Sequence, residues 1–214
     1  MSNVTAASTR GVRFGPVPRS KQRTPALRDE VLRVAMATLA SDGIEGFTTR
    51  RVAQEAGTST PAVYELFGDK AGLVREIFFE GFRQLRSQLD QLAPEPDPYR
   101  DLEQTVAAFR RFVRENRVLS DLMFGRAFAD FGPGPDELKA GASTRKFLID
   151  KIRRCVEAGL IEGDPRDIAH VLLAAAQGLS AQESAGWLGT SQASRDRRWT
   201  LAFRALMAGL ASGR

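Results

Sequence analysis

The stretch VAQEAGTSTPAVYELF, residues 52–67, constrains the fold more than any other part of this chain. Its two ends carry apolar residues at helical spacing, but a glycine, two threonines, a serine and a proline separate them. Glycine adopts a positive φ angle at little cost, and a serine shortly before a proline can cap a new helix. The stretch therefore predicts two short helices joined by a tight turn at Gly57.

This pattern is typical of a helix-turn-helix, in which a small residue lies where the two helices approach most closely. Ala53 meets that requirement, and the positions expected to pack both helices against a third are Val52, Ala56, Val63 and Leu66. The residues left at the start and on the exposed face of the second helix are Ser59, Thr60, Pro61, Ala62, Tyr64 and Glu65. Because such residues contact base edges in the major groove of DNA, we predict that these six contact DNA.

Helical periodicity continues along almost the whole chain, and no segment shows the sustained alternation of a strand. The expected N-caps of the first four helices are Thr24, Thr48, Ser59 and Asp69, and Gly43 is expected to end the first helix. Later helices are predicted at about residues 100–116, 117–130, 137–159, 165–187 and 194–211. The fold is therefore predicted to be all-α, with about nine helices.

The N-terminal segment is basic. Residues 1–28 contain six basic residues and no acidic one, a composition that suits a polyanion such as DNA. Residues 1–22 have no hydrophobic period and are predicted to form a disordered arm, from which we take Arg19 and Lys21, with Arg23 just beyond it, as candidate DNA contacts. A tail that only improves solubility is the alternative.

Deleting residues 1–22 should weaken binding to every DNA sequence. The arginines and the lysine of this segment release counterions when they contact phosphates, and the shortened chain lacks them. The slope of log affinity against log salt concentration should flatten by about 0.9 for each lost phosphate contact. Titrations of the full and the shortened chain at several salt concentrations measure this. An unchanged slope would show that the arm is a passive tail.

The composition argues against an enzyme. The chain has one cysteine, Cys155, and one histidine, His170, and it contains no catalytic triad, phosphate-binding loop or paired-cysteine motif. We therefore predict no metal, no cofactor and no catalytic activity, with a small all-helical enzyme as the weaker alternative. No apolar run reaches the roughly 20 residues of a membrane helix and no secretory signal is present, so we predict a soluble, cytoplasmic protein.

The run GFTTRRVAQEAGTSTPAVYELFGDKAGLVREIF resembles the DNA-binding domain of the tetracycline-repressor (TetR) family of bacterial transcriptional regulators. The resemblance spans about residues 24–78 and is carried by Gly46-Phe47, Thr48-Thr49, Val52-Ala53, Ala56-Gly57, Ser59, Val63-Tyr64, Phe67, Asp69-Lys70 and Leu73. It implies that the third helix reads the major groove and that phosphates are contacted by Tyr64, Lys70 and the second-helix residues Thr48, Thr49 and Arg50.

Two positions depart from the family pattern. Leu66 stands where the family often has a histidine that contacts the DNA backbone, so one phosphate contact is expected to be missing. Thr60-Pro61 replaces the usual basic residue followed by glycine. Base recognition through Thr60 would then be of short range, by its hydroxyl or methyl group.

The resemblance also implies that the C-terminal helices form an effector chamber. We divide the chain into the arm at 1–22, a helix-turn-helix domain at 23–70 and an effector-binding and dimerisation domain at 71–214. Large apolar residues that could line the chamber are Phe78, Phe82, Phe109, Phe112, Met123, Phe124 and Phe147, with Gln177 as a polar anchor and Arg126 and His170 as further candidates. The same residues could equally form a filled core.

The last two helices carry small residues that would allow close helix approach: Ala174, Ala175, Ala176, Gly178, Ala181, Ala202 and Ala208. Two such helices from each of two chains would build a four-helix interface. We therefore predict a homodimeric repressor that binds a palindromic double-stranded operator and is released by a small apolar or aromatic effector. An architectural DNA-binding protein without an effector is the alternative, and a filled core would favour it.

Overall fold

The computed structural model describes residues 24–125 and 134–211 of the 214-residue chain, apart from the side chains of residues 137 and 138. All regular structure within these residues is helical, which confirms the all-α prediction. The helices are α1 (Pro25–Gly46), α2 (Thr49–Glu55), α3 (Thr60–Phe67), α4 (Lys70–Asp90), α5 (Pro98–Glu115), α6 (Arg117–Phe124), α7 (Pro135–Ala140), α8 (Ala142–Glu157), α9 (Pro165–Ser184) and α10 (Gln192–Gly209). The N-terminal arm, with Arg19, Lys21 and Arg23, lies outside the described residues, as does Arg126.

Two predicted helices end differently from the prediction. The helix expected at 137–159 is divided at Gly141 into α7 and α8. Gly141 lies against α4, where an added Cβ would be 3.2 Å from Cε1 of Phe82, so the chain bends at a residue of low helix propensity. The helix expected at 117–130 ends at Phe124, and Gly125 is its C-cap. Both differences arise at glycines that helical periodicity alone does not detect.

The predicted N-caps are confirmed. A backbone N–H donates to the side-chain oxygen of each, with donor–acceptor distances of 3.3 Å at Thr24, 3.2 Å at Thr48, 3.3 Å at Ser59 and 2.7 Å at Asp69. Gly43 has a φ of 68° and interrupts α1 as expected, although three more helical residues follow it. The caps fix where α1 to α4 begin, and therefore the angles between them.

The core has two parts. The first runs from α1, α2 and α3 through α4, α5 and α6, and contains Val31, Val63, Ile77 and Phe112. The second lies between α5, α8, α9 and α10 and contains Cys155. Burial raises the pKa of the Cys155 thiol to about 11, so the residue is a small, protonated core side chain.

Two buried ion pairs fix the C-terminal helices. Arg110 of α5 donates two hydrogen bonds to Glu183 of α9, at 2.8 and 2.7 Å, and the indole N–H of Trp199 on α10 donates to the same carboxylate at 2.7 Å. Asp101 of α5 is 1% exposed and accepts from Lys151 of α8 at 2.8 Å. These contacts set the positions of α8, α9 and α10 around α5. Within the described residues, no helix is long and apolar enough to cross a membrane.

Candidate functional site

The turn between α2 and α3 has the geometry that the sequence predicts. Gly57 has a φ of 61°. The N–H of Thr58 donates to the carbonyl of Ala53 at 2.9 Å, and the N–H of Gly57 donates to the carbonyl of Gln54 at 3.1 Å. This pair of bonds is a Schellman motif, which ends a helix with one residue in the left-handed region. The motif ends α2 abruptly, and α3 begins in another direction at Thr60, three residues after Gly57.

Packing against α1 and α4 holds α2 and α3 in place. Val52 and Val63 are fully buried, and Ala53 is 2% exposed. The hydroxyl of Thr38 on α1 donates to Glu55 of α2 at 2.9 Å. Arg28 of α1 forms an ion pair with Glu76 of α4 at 2.8 Å, and its guanidinium lies 5.1 Å from the ring centroid of Phe67 at the end of α3. The three helices and the start of α4 therefore form one rigid head.

Most of the predicted DNA-contacting residues of this head are exposed. Ser59, Pro61, Tyr64 and Glu65 are exposed, and Thr60 and Ala62 are half-buried at the start of α3. Tyr64 exposes 45% of its surface, which is large for an aromatic residue. Thr48 and Arg50 are exposed at the start of α2, and Lys70 is exposed at the start of α4. The exposed residues of these three helices thus include hydroxyls, a phenol and cations.

Thr49 does not belong to this exposed set. Its side chain is 6% exposed and belongs to the buried set of α2, because the first residue of this helix faces the core. Arg51 is also occupied, since its guanidinium pairs with Glu55 at 2.8 Å and with Asp42 at 2.5 Å. Arg50 is therefore the exposed α2 cation that is left as a candidate DNA contact.

A cavity of about 260 Å³ lies between α4, α5, α6, α8 and α9. Six of the eight predicted chamber residues line it: Phe78, Phe82, Phe109, Met123, Phe124 and Gln177. The aromatic rings touch one another, with centroid distances of 5.1 Å between Phe78 and Phe82 and 5.8 Å between Phe82 and Phe124. The rings form one continuous apolar wall.

Two predicted chamber residues lie elsewhere. Phe112 is fully buried in the core, one helical turn beyond Phe109 on α5. Phe147 lies outside the cavity, beneath the guanidinium of Arg86 and the ammonium of Lys151, each 4.9 Å from its ring centroid. His170 is exposed on α9 and its Nδ1 lies 2.8 Å from the carbonyl of Arg166, so it also lies outside the cavity.

The α8 wall of the cavity is not predicted by the sequence. It consists of Gly141, Thr144, Arg145 and Leu148. No local pattern distinguishes these residues, because their position depends on how α8 packs against α4 and α5. Thr105 of α5 and Leu172 of α9 also belong to the lining without having been predicted.

Two helices connect the cavity to the DNA-contacting head. α4 begins at Lys70, directly after α3, and carries Phe78 and Phe82. α6 carries Met123 and Phe124 of the cavity wall and packs against both α1 and α4. At Gly81 the approach of α4 and α6 is so close that an added Cβ would lie 2.5 Å from Sδ of Met123. α6 therefore connects the cavity to the head in addition to α4.

The outer face of α9 and α10 exposes apolar residues. Val171 is 54% exposed and Leu201 is 68% exposed, and a Cβ added at Gly178 would meet open space. Ala175 and Ala202, by contrast, are half-buried and face each other across the gap between α9 and α10 of the same chain. A substitution of either alanine would disturb the protomer itself, so Gly178 is a better test of an interface.

Comparison with known proteins gives a consistent result. A family model described as "Bacterial regulatory proteins, tetR family" matches residues 31–77, and one described as "Tetracyclin repressor-like, C-terminal domain" matches residues 102–206. No curated protein sequence matches this chain.

Several solved structures share the fold. A protein of unknown function from Rhodococcus sp. RHA1 is 27% identical over 91% of this chain and 100% of its own, with a TM-score of 0.76. A putative tetR-family regulator from Shewanella sp. PV-4 is 18% identical over 87% of this chain and 99% of its own, with a TM-score of 0.63. A TetR variant from Acinetobacter baumannii AYE, in complex with minocycline, is 19% identical over 84% of this chain and 93% of its own, with a TM-score of 0.58.

Proposed function

The chain belongs to the tetracycline-repressor family of bacterial regulators, which bind DNA and respond to ligands, and from this premise we propose that it is a homodimeric repressor. Helix α3 enters the major groove at each half of a palindromic operator. A small apolar or aromatic effector binds the cavity and releases the protein from that operator. A repressor of chromosomal genes acts in the cytoplasm, and that is where we place it.

The exposed residues of the head support the DNA-binding assignment. Ser59, Thr60, Pro61, Ala62 and Glu65 are assigned to base edges, because they lie at the start and on the open face of α3. Tyr64, Lys70, Thr48 and Arg50 are assigned to phosphates. The segments 23–70 and 71–214 then act as the head and the effector domain, although their core is continuous.

One observation carries the effector assignment: the cavity shares its walls with the helices that support the head. Phe78 and Phe82 lie on α4, whose first residue follows the end of α3 by three positions. An effector can shift the protein only by binding one arrangement of these helices better than the other, and such couplings are about 1–3 kcal/mol. A space of about 260 Å³ with a largely apolar wall supports this proposal over the architectural alternative, which predicts a filled core.

Phe82→Ala should change the response to effector far more than it changes operator affinity. The ring forms part of the cavity wall and is half-buried, while the recognition surface lies at the other end of α4. Without effector, operator affinity should stay within about threefold of the parent, whereas the effector concentration that releases DNA should shift by about tenfold or more. An operator selected from random duplexes and a compound found by thermal-shift screening supply the assay.

Phe79→Ala is the matched control. Phe79 is the neighbouring phenylalanine on α4, is also half-buried, and does not line this cavity. It should leave the effector response unchanged. Equal losses of effector response and operator affinity in Phe82→Ala would show that Phe82 is only a core residue.

A further inference from the structure

Among the residues that the structure describes, one charged side chain lines the cavity. Among the described residues that line it, Arg145 of α8 carries a positive charge, and no aspartate or glutamate is present. Most of the remaining lining is apolar, including four phenylalanine rings. A single cation in such surroundings is poorly screened, so it would attract an anionic group that enters the cavity.

Arg145 differs from the other basic residues of its helix. Lys146 and Arg153 both pair with Asp150, at 2.6 Å each, and Lys151 and Arg154 both pair with the buried Asp101. Within the described part of the chain, no carboxylate pairs with Arg145. Within residues 24–125 and 134–211, every other cation of α8 pairs with a carboxylate, and Arg145, which lines the cavity, does not.

A hydroxyl beside Arg145 also lacks a partner. The Oγ1 atom of Thr144 is buried and forms no hydrogen bond within the described residues, although it belongs to the cavity lining. The hydroxyl of Thr105, a lining residue on α5, is satisfied because it donates to the carbonyl of Asp101 at 2.9 Å. A buried polar atom without a partner is unfavourable and points to a group that is bound in the functional complex.

We propose that the effector is a small carboxylic acid, whose single carboxylate binds Arg145 and Thr144 while its aromatic or aliphatic body packs on the phenylalanine wall. This inference rests on the proposed effector role of the cavity and adds the chemical class of the ligand. The Arg145 guanidinium donates hydrogen bonds to the carboxylate, and the Thr144 hydroxyl donates one more. The carboxamide of Gln177 lines the same cavity and can bind a second polar group of the ligand.

Charge and size narrow the class. A doubly charged phosphate would lose more solvation on entering an apolar cavity than one cation can offset, so a singly charged carboxylate is favoured. The cavity volume of about 260 Å³ lies just below the roughly 300–1,000 Å³ usual for ligand sites. The effector should therefore be a compact acid with one ring or a short chain.

Two matched series test this with the full-length protein. The first series is phenylbutanoate, phenylbutanamide and phenylbutylamine, and the second is octanoate, octanamide and octylamine. Dissociation constants are measured by calorimetry for the parent and for Arg145→Gln, Arg145→Lys and Thr144→Val. Arg153→Gln is the control, since Arg153 lies on the same helix but pairs with Asp150 at the surface.

In the parent, at least one acid should bind about 10-fold to 100-fold more tightly than its amide, the range for a charge-assisted hydrogen bond, and the amines should bind most weakly. Arg145→Gln should reduce the preference for acid over amide to about twofold or less, and Arg145→Lys should retain part of it. Thr144→Val should weaken acid binding more than amide binding. Arg153→Gln should behave as the parent does.

Three results overturn the inference. If amides or amines bind as tightly as the acids and Phe82→Ala abolishes this binding, the ligand needs no carboxylate. The cavity would still be the effector site. An acid preference that survives in Arg145→Gln would place the anion elsewhere. Failure of all six compounds to bind would overturn both this inference and the proposed effector site, while specific operator binding by the same preparation would leave DNA recognition intact.

Discussion

Gly57→Val should lower operator affinity by about 30-fold to 1,000-fold and leave α4 to α10 folded. Gly57 lies in the left-handed region with a φ of 61°, between the last turn of α2 and the start of α3. A left-handed conformation costs an L-residue about 1–2 kcal/mol, and a β-branched side chain resists it most. The valine relieves this strain when the turn opens, and an opened turn tilts α3 away from its position in the groove.

The size of the effect follows from the proposed dimer and its palindromic operator. Binding to a palindrome needs both heads in the native arrangement, so the strain is imposed twice, at about 2–4 kcal/mol for the pair. About 1.4 kcal/mol corresponds to a factor of ten in affinity. A strain near the upper limit of about 4 kcal/mol should therefore reduce operator affinity by two to three orders of magnitude. Fluorescence anisotropy with a labelled operator duplex measures the affinity, and circular dichroism checks that helical content is retained.

Gly159→Val provides a control of the same geometry. Gly159 has a φ of 68° and ends α8 with the same two hydrogen bonds, from Gly159 to Val156 at 2.9 Å and from Leu160 to Cys155 at 3.0 Å. The two variants should lose similar free energy of unfolding, because they place valine in equivalent Schellman motifs. Only Gly57→Val should lose operator binding. Equal operator affinities in both variants would contradict the role of this turn in DNA recognition.

The parts of the fold that sequence predicts well are those determined by near neighbours. Thr48, Ser59 and Asp69 each accept a hydrogen bond from an N–H three residues later, so the cap and its helix are visible in four consecutive letters. Gly57 is equally local, since its turn is closed by bonds to Ala53 and Gln54. The turn and the caps of the helix-turn-helix are therefore predictable, and of the six residues predicted at the start and exposed face of α3, all but Thr60 and Ala62 are exposed.

The cavity depends on contacts that are distant in sequence, and here prediction fails in a particular way. Phe109 and Phe112 lie on the same apolar stripe of α5, yet one faces the cavity and the other fills the core. Aromatic content alone cannot separate them, because the difference depends on where α8 and α9 leave space. Thr49 shows the same limit on α2, since its burial depends on how α2 packs in the head and not on its neighbours in sequence.

Arg145 is the residue that sequence reasoning had least chance to find. α8 carries five basic residues, and composition treats them alike. What distinguishes them is the pairing of Lys151 and Arg154 with Asp101, which is 50 and 53 residues away along the chain. Only a structure shows which cation is left over for a ligand.

Gly178→Arg should convert a dimer into monomers and reduce operator binding to its non-specific level, a loss of about 10³-fold or more. Gly178 is exposed on α9, one turn from Ala174 and two turns from the exposed Val171, and the exposed Leu201 lies on neighbouring α10. In a twofold dimer each face meets a copy of itself, so one substitution introduces two arginines into one interface. Two unpaired cations in an apolar contact are strongly unfavourable.

The loss of DNA binding follows from geometry, because the heads remain folded. Recognition helices of a dimer must sit about 34–36 Å apart, one turn of DNA, and only the interface holds them at that distance. A monomer keeps all the contacts of one half-site and loses the joint binding of two.

Ala107→Arg is the control, since Ala107 is an exposed alanine in the middle of α5, and it should leave sedimentation and footprint unchanged. If Gly178→Arg sediments as a dimer at micromolar concentration, the interface lies on another face. If it sediments as a monomer and still protects a full palindrome, the two heads recognise their half-sites independently, and the interface has no role in setting their spacing.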